Sequence, residues 1–267
     1  MKNPLHLLMK SLLLLLVATL TSCVTPIAAN PGAPTAPPLS QANPYYSPPP
    51  YATLAPTQLR WISGRKDLQI CALTFDDGPH PQYTPRILDT LRQRGVKATF
   101  FTLGRSVDRY PQIAARIAAE GHEIGNHTYT HGNLSKMSDA NIRKEMDQGR
   151  DAIVRATGQS PRIMRAPYGA IKAAQRQMIY NNYKYPEIFW SVDSRDWESK
   201  NAASVTNIIM RDTRPGGIIL VHDIQKSAVD ALPVFLDRLI AQGYKFVTVS
   251  ELIRVSTMAN PQDAVQR

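Results

Sequence analysis

Between residues 69 and 249 the chain alternates short apolar runs with helix-like stretches, and most of the runs end in a polar cluster. The apolar runs fall at 69–75, 98–103, 122–125, 162–165, 187–192, 217–221 and 245–249, each of strand length and bounded by turn residues. Helical patterns with legible ends lie between them. One spans 84–94 and stops at Gly95; another, 111–120, opens on a proline suited to a first helical turn and stops at Gly121. Ser138 caps a long helix reaching about residue 157, before Gly158, and 228–242 ends at Gly243. Repeated strand and helix units imply a parallel sheet with helical crossovers. About seven of them predict an α/β fold, a barrel related to the (β/α)₈ type, with the active site at the C-terminal strand ends. The alternative, an open doubly wound sheet, would carry a Gly-rich phosphate loop after an early strand, and the sequence has none.

The positions of the clusters matter more than their composition. DDGPH follows the first run, NHTYTH the third, APYG the fourth, DSRDW the fifth and HD the sixth. In a barrel of parallel strands those ends open on one face, where barrel enzymes build their sites.

Histidine is used sparingly: His6 lies in the N-terminal apolar segment, and the others are His80, His122, His127, His131 and His222. A spacing of four predicts that His127 and His131 share one side of a helical turn, an arrangement that suits borderline metals such as zinc. A loop whose histidines only make hydrogen bonds is the bland alternative. Asp76 and Asp77 are adjacent, so on extended backbone their side chains diverge, one toward a metal and the other toward substrate. A lone DDG is usually a solvated turn, but this one follows a buried strand. Two imidazoles and Asp77 would leave coordination positions open, which marks a catalytic rather than a structural metal site. Zinc fits that donor set first; cobalt, nickel or iron could occupy it. Hydrolysis of an amide or ester further needs a base, an acid and oxyanion donors. Asp76 could be the base, held ionised by Arg165, and His222 the acid, its charged form favoured by Asp196. Singly, Arg165 reads as a surface charge and His222 as a polar strand end; together they complete one mechanism.

TFDDGPH (74–80), HTYTH (127–131), RAPYG (165–169), DSRDW (193–197) and LVH (220–222) resemble, in order, the five motifs of the polysaccharide deacetylase family, carbohydrate esterase family 4. The resemblance covers roughly residues 68–252. It implies a distorted β/α barrel that removes acetyl groups from N-acetylglucosamine polymers, or from acetylated xylan in some members, with a bound divalent metal. Carried over by motif position, Asp76 resembles the base, and Asp77, His127 and His131 the metal ligands. Arg165 resembles the residue holding the base, and the Tyr168 backbone N–H an oxyanion donor. Asp196 would tune the acid His222, while Pro167, Trp197 and Leu220 would line the substrate pocket. No catalytic position departs from the pattern. His80 and His122 are expected to make structural hydrogen bonds. Two other readings are an O-acetyl esterase of the xylan type and a lipoprotein that binds cell-wall glycan without hydrolysing it. Retention of both Asp76 and His222 argues against a pure binder.

The N-terminus has its own logic. Lys2 and Lys10 precede an apolar run at 12–20, too short to span a bilayer but suited to a secretory signal over 1–22. LTSC (20–23) resembles a lipobox, which makes Cys23 the expected lipidation site. Cys71 is the only other cysteine, so no disulfide framework is expected, and it reads as a small core hydrophobe. Residues 24–59 hold ten prolines and no charge. Together with Cys23 they form a tether (23–59) reaching on the order of 100 Å. A deacetylase domain over 60–255 and a flexible tail over 256–267 follow; 198–206 and the tail carry no readable signal. Net charge is +10, and loss of Lys2 and Lys10 with the signal (10 − 2) leaves +8. Such a surface favours polyanions, but the basic residues are scattered and no nucleic-acid partner is expected. The expectation is an exported, monomeric, membrane-anchored lipoprotein facing the periplasm or cell wall. Its first-choice substrate is the N-acetylglucosamine of peptidoglycan, with exopolysaccharide or chitin oligosaccharide second.

Overall fold

The computed structural model describes residues 58–257. The expected signal peptide, Cys23, nearly all of the tether and most of the tail lie outside them.

The first half of the domain runs β1 (Arg60–Trp61), β2 (Ile70–Asp76), α1 (Tyr83–Gln93), β3 (Thr99–Thr102), α2 (Gly104–Arg109), α3 (Pro111–Ala119), β4 (Glu123–Asn126) and α4 (Asp139–Thr157). The second half runs α5 (Ala173–Tyr183), β5 (Glu187–Ile188), β6 (Val192–Asp193), α6 (Ala202–Asp212), β7 (Gly217–His222), α7 (Lys226–Ala241), β8 (Lys245–Phe246) and α8 (Val249–Thr257). Every paired strand is parallel to its neighbour, in the order β4-β3-β2-β7-β6, with β8 joined to the start of β2. The ends of this row meet. Met164 bridges to Asn126 of β4 on one side and to Glu187 of β5 on the other. The chain then passes from β5 into β6, which pairs with β7. The circuit is a barrel, as the alternating pattern predicts, and not an open sheet.

β2 is buried along its whole length because it is central, and its two faces serve different layers. Cys71, Leu73 and Phe75 pack outward among Leu88, Leu91, Leu232 and Phe235 of α1 and α7. Ile70 and Ala72 point the other way, into a second core with Phe101, Ile163, Ile188 and Ile218, and α8 closes its lower end. The period of two along a strand puts Thr74 and Asp76 on that inward face too. Cys71 is fully buried and free, consistent with a small core hydrophobe.

The expected helix ends hold. Ser138 Oγ accepts from Asn141 N–H at the start of α4, and Gly158 closes that helix at φ 71°. Pro111 opens α3. Other expectations need correction. The run 162–165 is not a strand but a single bridge at Met164. The run 187–192 is two short strands, because Arg165 draws the Ile188 and Phe189 carbonyls out of the ladder. Residues 198–206, which carry no readable signal, start α6 with Asn201 as its cap, accepting from the N–H groups of Ala203 and Ser204.

Candidate active site

Strand register assembles the site before any side chain is considered. Asp76 at the end of β2 lies opposite His222 at the end of β7 and opposite Phe101 of β3. Thr102 lies opposite Asn126, so His127 leaves β4 at the same level. Met164 bridges Asn126, which brings Arg165 to the rim, and β6 ends three residues before Asp196. The candidates named from DDGPH, HTYTH, RAPYG, DSRDW and LVH all reach one mouth.

The backbone there is unusual. Among the described residues the non-glycine positions with positive φ are Asp77, Thr128, His131, Tyr168, Arg195 and Lys184, and only Lys184 lies outside the polar clusters. Each such residue costs about 1–3 kcal/mol and persists where the surroundings impose it, commonly at functional sites. Two expectations change as a result. His127 and His131 do not share a helical turn; they lie on an irregular loop, where Thr128 (φ 71°) and His131 (φ 68°) turn the chain back on itself. Asp76 and Asp77 do not diverge either. Asp77 (φ 79°) leaves the extended conformation, so both carboxylates approach the same imidazole nitrogen. His127 Nε2 is 3.7 Å from Asp76 Oδ2 and 3.4 Å from Asp77 Oδ1.

Asp77 Oδ1 also lies 3.1 Å from His131 Nε2. It is a buried oxygen with no well-aligned hydrogen-bond donor, the sort of orphan that a cation satisfies. His127 Nδ1 is 2.8 Å from the Arg165 carbonyl, which can only accept. The ring proton is therefore on Nδ1, and Nε2 offers its lone pair to the centre. His131 Nδ1 is 3.1 Å from the Tyr168 hydroxyl. Tetrahedral ligands at metal bonds of about 2.0–2.2 Å stand about 3.3–3.6 Å apart. The 3.4 Å separation falls in that range and the 3.1 Å one just below it, and the three ligand atoms all lie within 4.8 Å of one another. The residues fit a borderline divalent ion. Burial opposes charge on Asp77, but the two imidazoles outweigh it and hold the carboxyl well below its usual range. Burial likewise opposes protonation of His127, and Asp76 and Asp77 together overcome it and raise its pKa. A proton thus competes with a metal for the same nitrogen.

Two ion pairs flank this cluster. Arg165 is fully buried and donates to Asp76 Oδ1 (2.7 Å), Thr74 Oγ1 (2.8 Å), the Ile188 carbonyl (3.1 Å) and the Phe189 carbonyl (3.0 Å). Its guanidinium lies 4.2 Å from the centre of the Phe101 ring. Across the mouth, Asp196 is fully buried and binds His222 twice, at Nδ1 and at the backbone N–H, both 2.7 Å. Burial pulls the His222 pKa down, but Asp196, with Asp76 and Asp77 behind it, raises it to about 9. Leu220 is buried one pleat below His222, and Pro167 is buried, whereas Trp197 and the Tyr168 side chain stand exposed at the rim.

The histidines expected to be structural are so. His122 Nδ1 accepts from Ala98 N–H (3.2 Å), and burial lowers its pKa to about 4. His80 Nδ1 accepts from the N–H groups of Gln82 and Tyr83 at the start of α1. Sequence reasoning missed Asp223. Its carboxyl is buried, takes the Thr84 hydroxyl at 2.5 Å, and is raised to about 7 by burial. Gly78 is needed for space beside it: a Cβ there would lie 2.0 Å from Asp223 Oδ2. The available signal was its place directly after His222.

A family model described as polysaccharide deacetylase matches residues 63–186. That stretch holds Asp76, Arg165 and all three ligand candidates, and stops short of Asp196 and His222. A Bacillus cereus peptidoglycan-N-acetylglucosamine deacetylase is 40% identical over 199 residues, covering 73% of this chain and 72% of its own length. A Bacillus subtilis peptidoglycan-N-acetylmuramic acid deacetylase, PdaC, is 37% identical over 70% of this chain, which spans only 39% of that relative. The crystal structure of the Bc1960 peptidoglycan N-acetylglucosamine deacetylase superposes with a TM-score of 0.71 at 38% identity, covering 73% of this chain and 93% of that one.

Proposed function

The chain belongs to the polysaccharide deacetylase family, and from that premise we propose that it is a metal-dependent hydrolase removing N-acetyl groups from the N-acetylglucosamine of peptidoglycan. One observation carries the reading. An arginine-held carboxylate and an aspartate-held imidazole face a common three-ligand cluster, at a β2–β7 register that sets Asp76 opposite His222.

Asp77, His127 and His131 would hold the ion, zinc by donor set, with cobalt, nickel or iron as alternatives. Such an ion would supply an acidic water and polarise the acetyl carbonyl. Asp76 is placed to accept a proton from the attacking water. Arg165 occupies its Oδ1, so Oδ2, on the side of His127, is the oxygen left to receive it. His222 delivers a proton to the departing amine nitrogen, and Asp196 keeps the imidazole oriented and cationic until then. The Tyr168 N–H is assigned to the oxyanion, and the left-handed turn at Tyr168 sets that peptide at the rim. Pro167, Trp197 and Leu220 are assigned to the pocket for the sugar and its acetyl methyl.

The test is acetate release from purified peptidoglycan, chitin oligosaccharide and acetylated xylan in parallel, each with zinc and with chelator. Release from peptidoglycan that chelator abolishes and zinc restores is the expected result. Release from xylan alone would make the protein an O-acetyl esterase, and none from a metal-loaded sample would leave a binding protein. The Bacillus subtilis relative supplies a second reading for the sugar, N-acetylmuramic acid. Amino-sugar analysis of the treated glycan separates glucosamine from muramic acid.

Export, a lipid anchor on Cys23 and a Pro-rich tether holding a monomeric domain within reach of the wall complete the proposal. Cys23→Ala is expected to release the protein from sedimented membranes while the specific activity stays within about twofold, since an anchor adds nothing to the site. Continued sedimentation with membranes would remove the anchor from the proposal.

A further inference from the structure

The loop that carries His127 and His131 is held from behind by α4. Glu145, in the second turn of that helix and 9% exposed, accepts through Oε2 from the N–H groups of Tyr129 (2.9 Å) and Thr130 (2.8 Å). Its Oε1 accepts from the Thr130 hydroxyl (2.7 Å). The next residue, Met146, gives its carbonyl to Asn126 Nδ2 (2.9 Å), and Asn126 Oδ1 in turn takes Thr128 N–H (2.8 Å). One turn further on is Gly149, where a Cβ would lie 2.6 Å from Asn126 Oδ1 and 3.1 Å from the Thr128 carbonyl carbon. Helix and loop are therefore in backbone contact, and three consecutive loop N–H groups, from Thr128 to Thr130, are taken by side chains. Thr128 and His131 sit in left-handed conformations that an unsupported chain of L residues leaves readily.

We propose that Glu145 is a positioning residue for the metal site. Its carboxylate fixes the 127–131 loop so that both Nε2 atoms converge on Asp77 before any ion arrives. The proposal rests on reading Asp77, His127 and His131 as metal ligands. Glu145 hydrogen-bonds to none of the three side chains; it acts through two of the four peptides between the histidines, which set how far apart their rings stand. Outer groups that orient ligands typically change metal affinity by 10–100-fold when removed.

The experiment is zinc titration of the metal-stripped protein against a chromophoric chelator, with thermal melting of the same samples. Glu145→Ala is expected to weaken zinc binding by about 10–100-fold. Glu145→Gln keeps an oxygen for the two N–H groups and an amide that can donate to the Thr130 hydroxyl, so it should bind within about threefold of the parent. Thr130→Val, which removes one of the three bonds, should fall between the two and serves if Glu145→Ala does not fold. Glu145→Ala that melts lower yet binds zinc normally would reduce Glu145 to a fold contact and overturn the proposal. So would Glu145→Gln binding as poorly as Glu145→Ala, or Thr130→Val binding like the parent. A parent protein that binds no zinc would instead remove the metal-site reading itself.

Discussion

Asp76→Asn is expected to lower kcat by about 10²–10⁴-fold, the usual contribution of a positioned general base, while zinc binding stays near that of the parent. The amide matches the carboxylate in size and can still accept from Arg165 at one oxygen, so the pair at 2.7 Å keeps its geometry. What disappears is the second oxygen, on the side of His127, as a proton acceptor. Activity measured at saturating zinc, beside a direct zinc titration, separates this loss from loss of the ion. His131→Ala provides the contrast, because it removes a nitrogen 3.1 Å from Asp77 Oδ1 and should abolish both turnover and tight zinc binding. If Asp76→Asn keeps full turnover, the proton goes elsewhere and the base assignment is wrong.

Arg165→Ala should be the most destabilising single change in the domain. Among the described residues Arg165 is the largest fully buried side chain, and it satisfies two carbonyls, one hydroxyl and one carboxylate at once. Removing one partner of a buried ion pair costs about 3–5 kcal/mol, because the other charge is left in a poor solvent. For a domain of this size that corresponds to a fall in Tm on the order of 10 °C. Lysine should recover little: a single ammonium cannot reach Asp76 and the Ile188 and Phe189 carbonyls together as the planar fork does. Melting curves of the two variants test this, and a drop of only one or two degrees would mean that water enters and solvates Asp76.

Arg165 also shows where a linear reading stops. Its place in RAPYG marked it as a partner for Asp76, and the bond is there. Nothing local indicated that it would split the run 187–192 into β5 and β6 by taking the carbonyls between them. Glu145 is similar. It reads as one more polar residue on α4, and its role appears only when that helix lies against the histidine loop.

The repeating strand and helix units, the caps at Ser138 and Gly158, the burial of Cys71 and the clustering of Asp76, Asp77, His127, His131, Arg165, Asp196 and His222 at strand ends are legible in the order of residues alone. Those features follow from side-chain period, capping chemistry and residue order, which are local. Barrel closure by Met164 and the 187–193 segment, the turn of Asp77 back toward His127, and the placing of the histidine spacing of four on an irregular loop rather than a helix emerge only from the packed chain. Register and left-handed backbone are imposed by neighbours far away in the chain. Each such conformation is unfavourable alone and becomes stable only when packed hydrogen-bond partners from other elements outweigh its local cost.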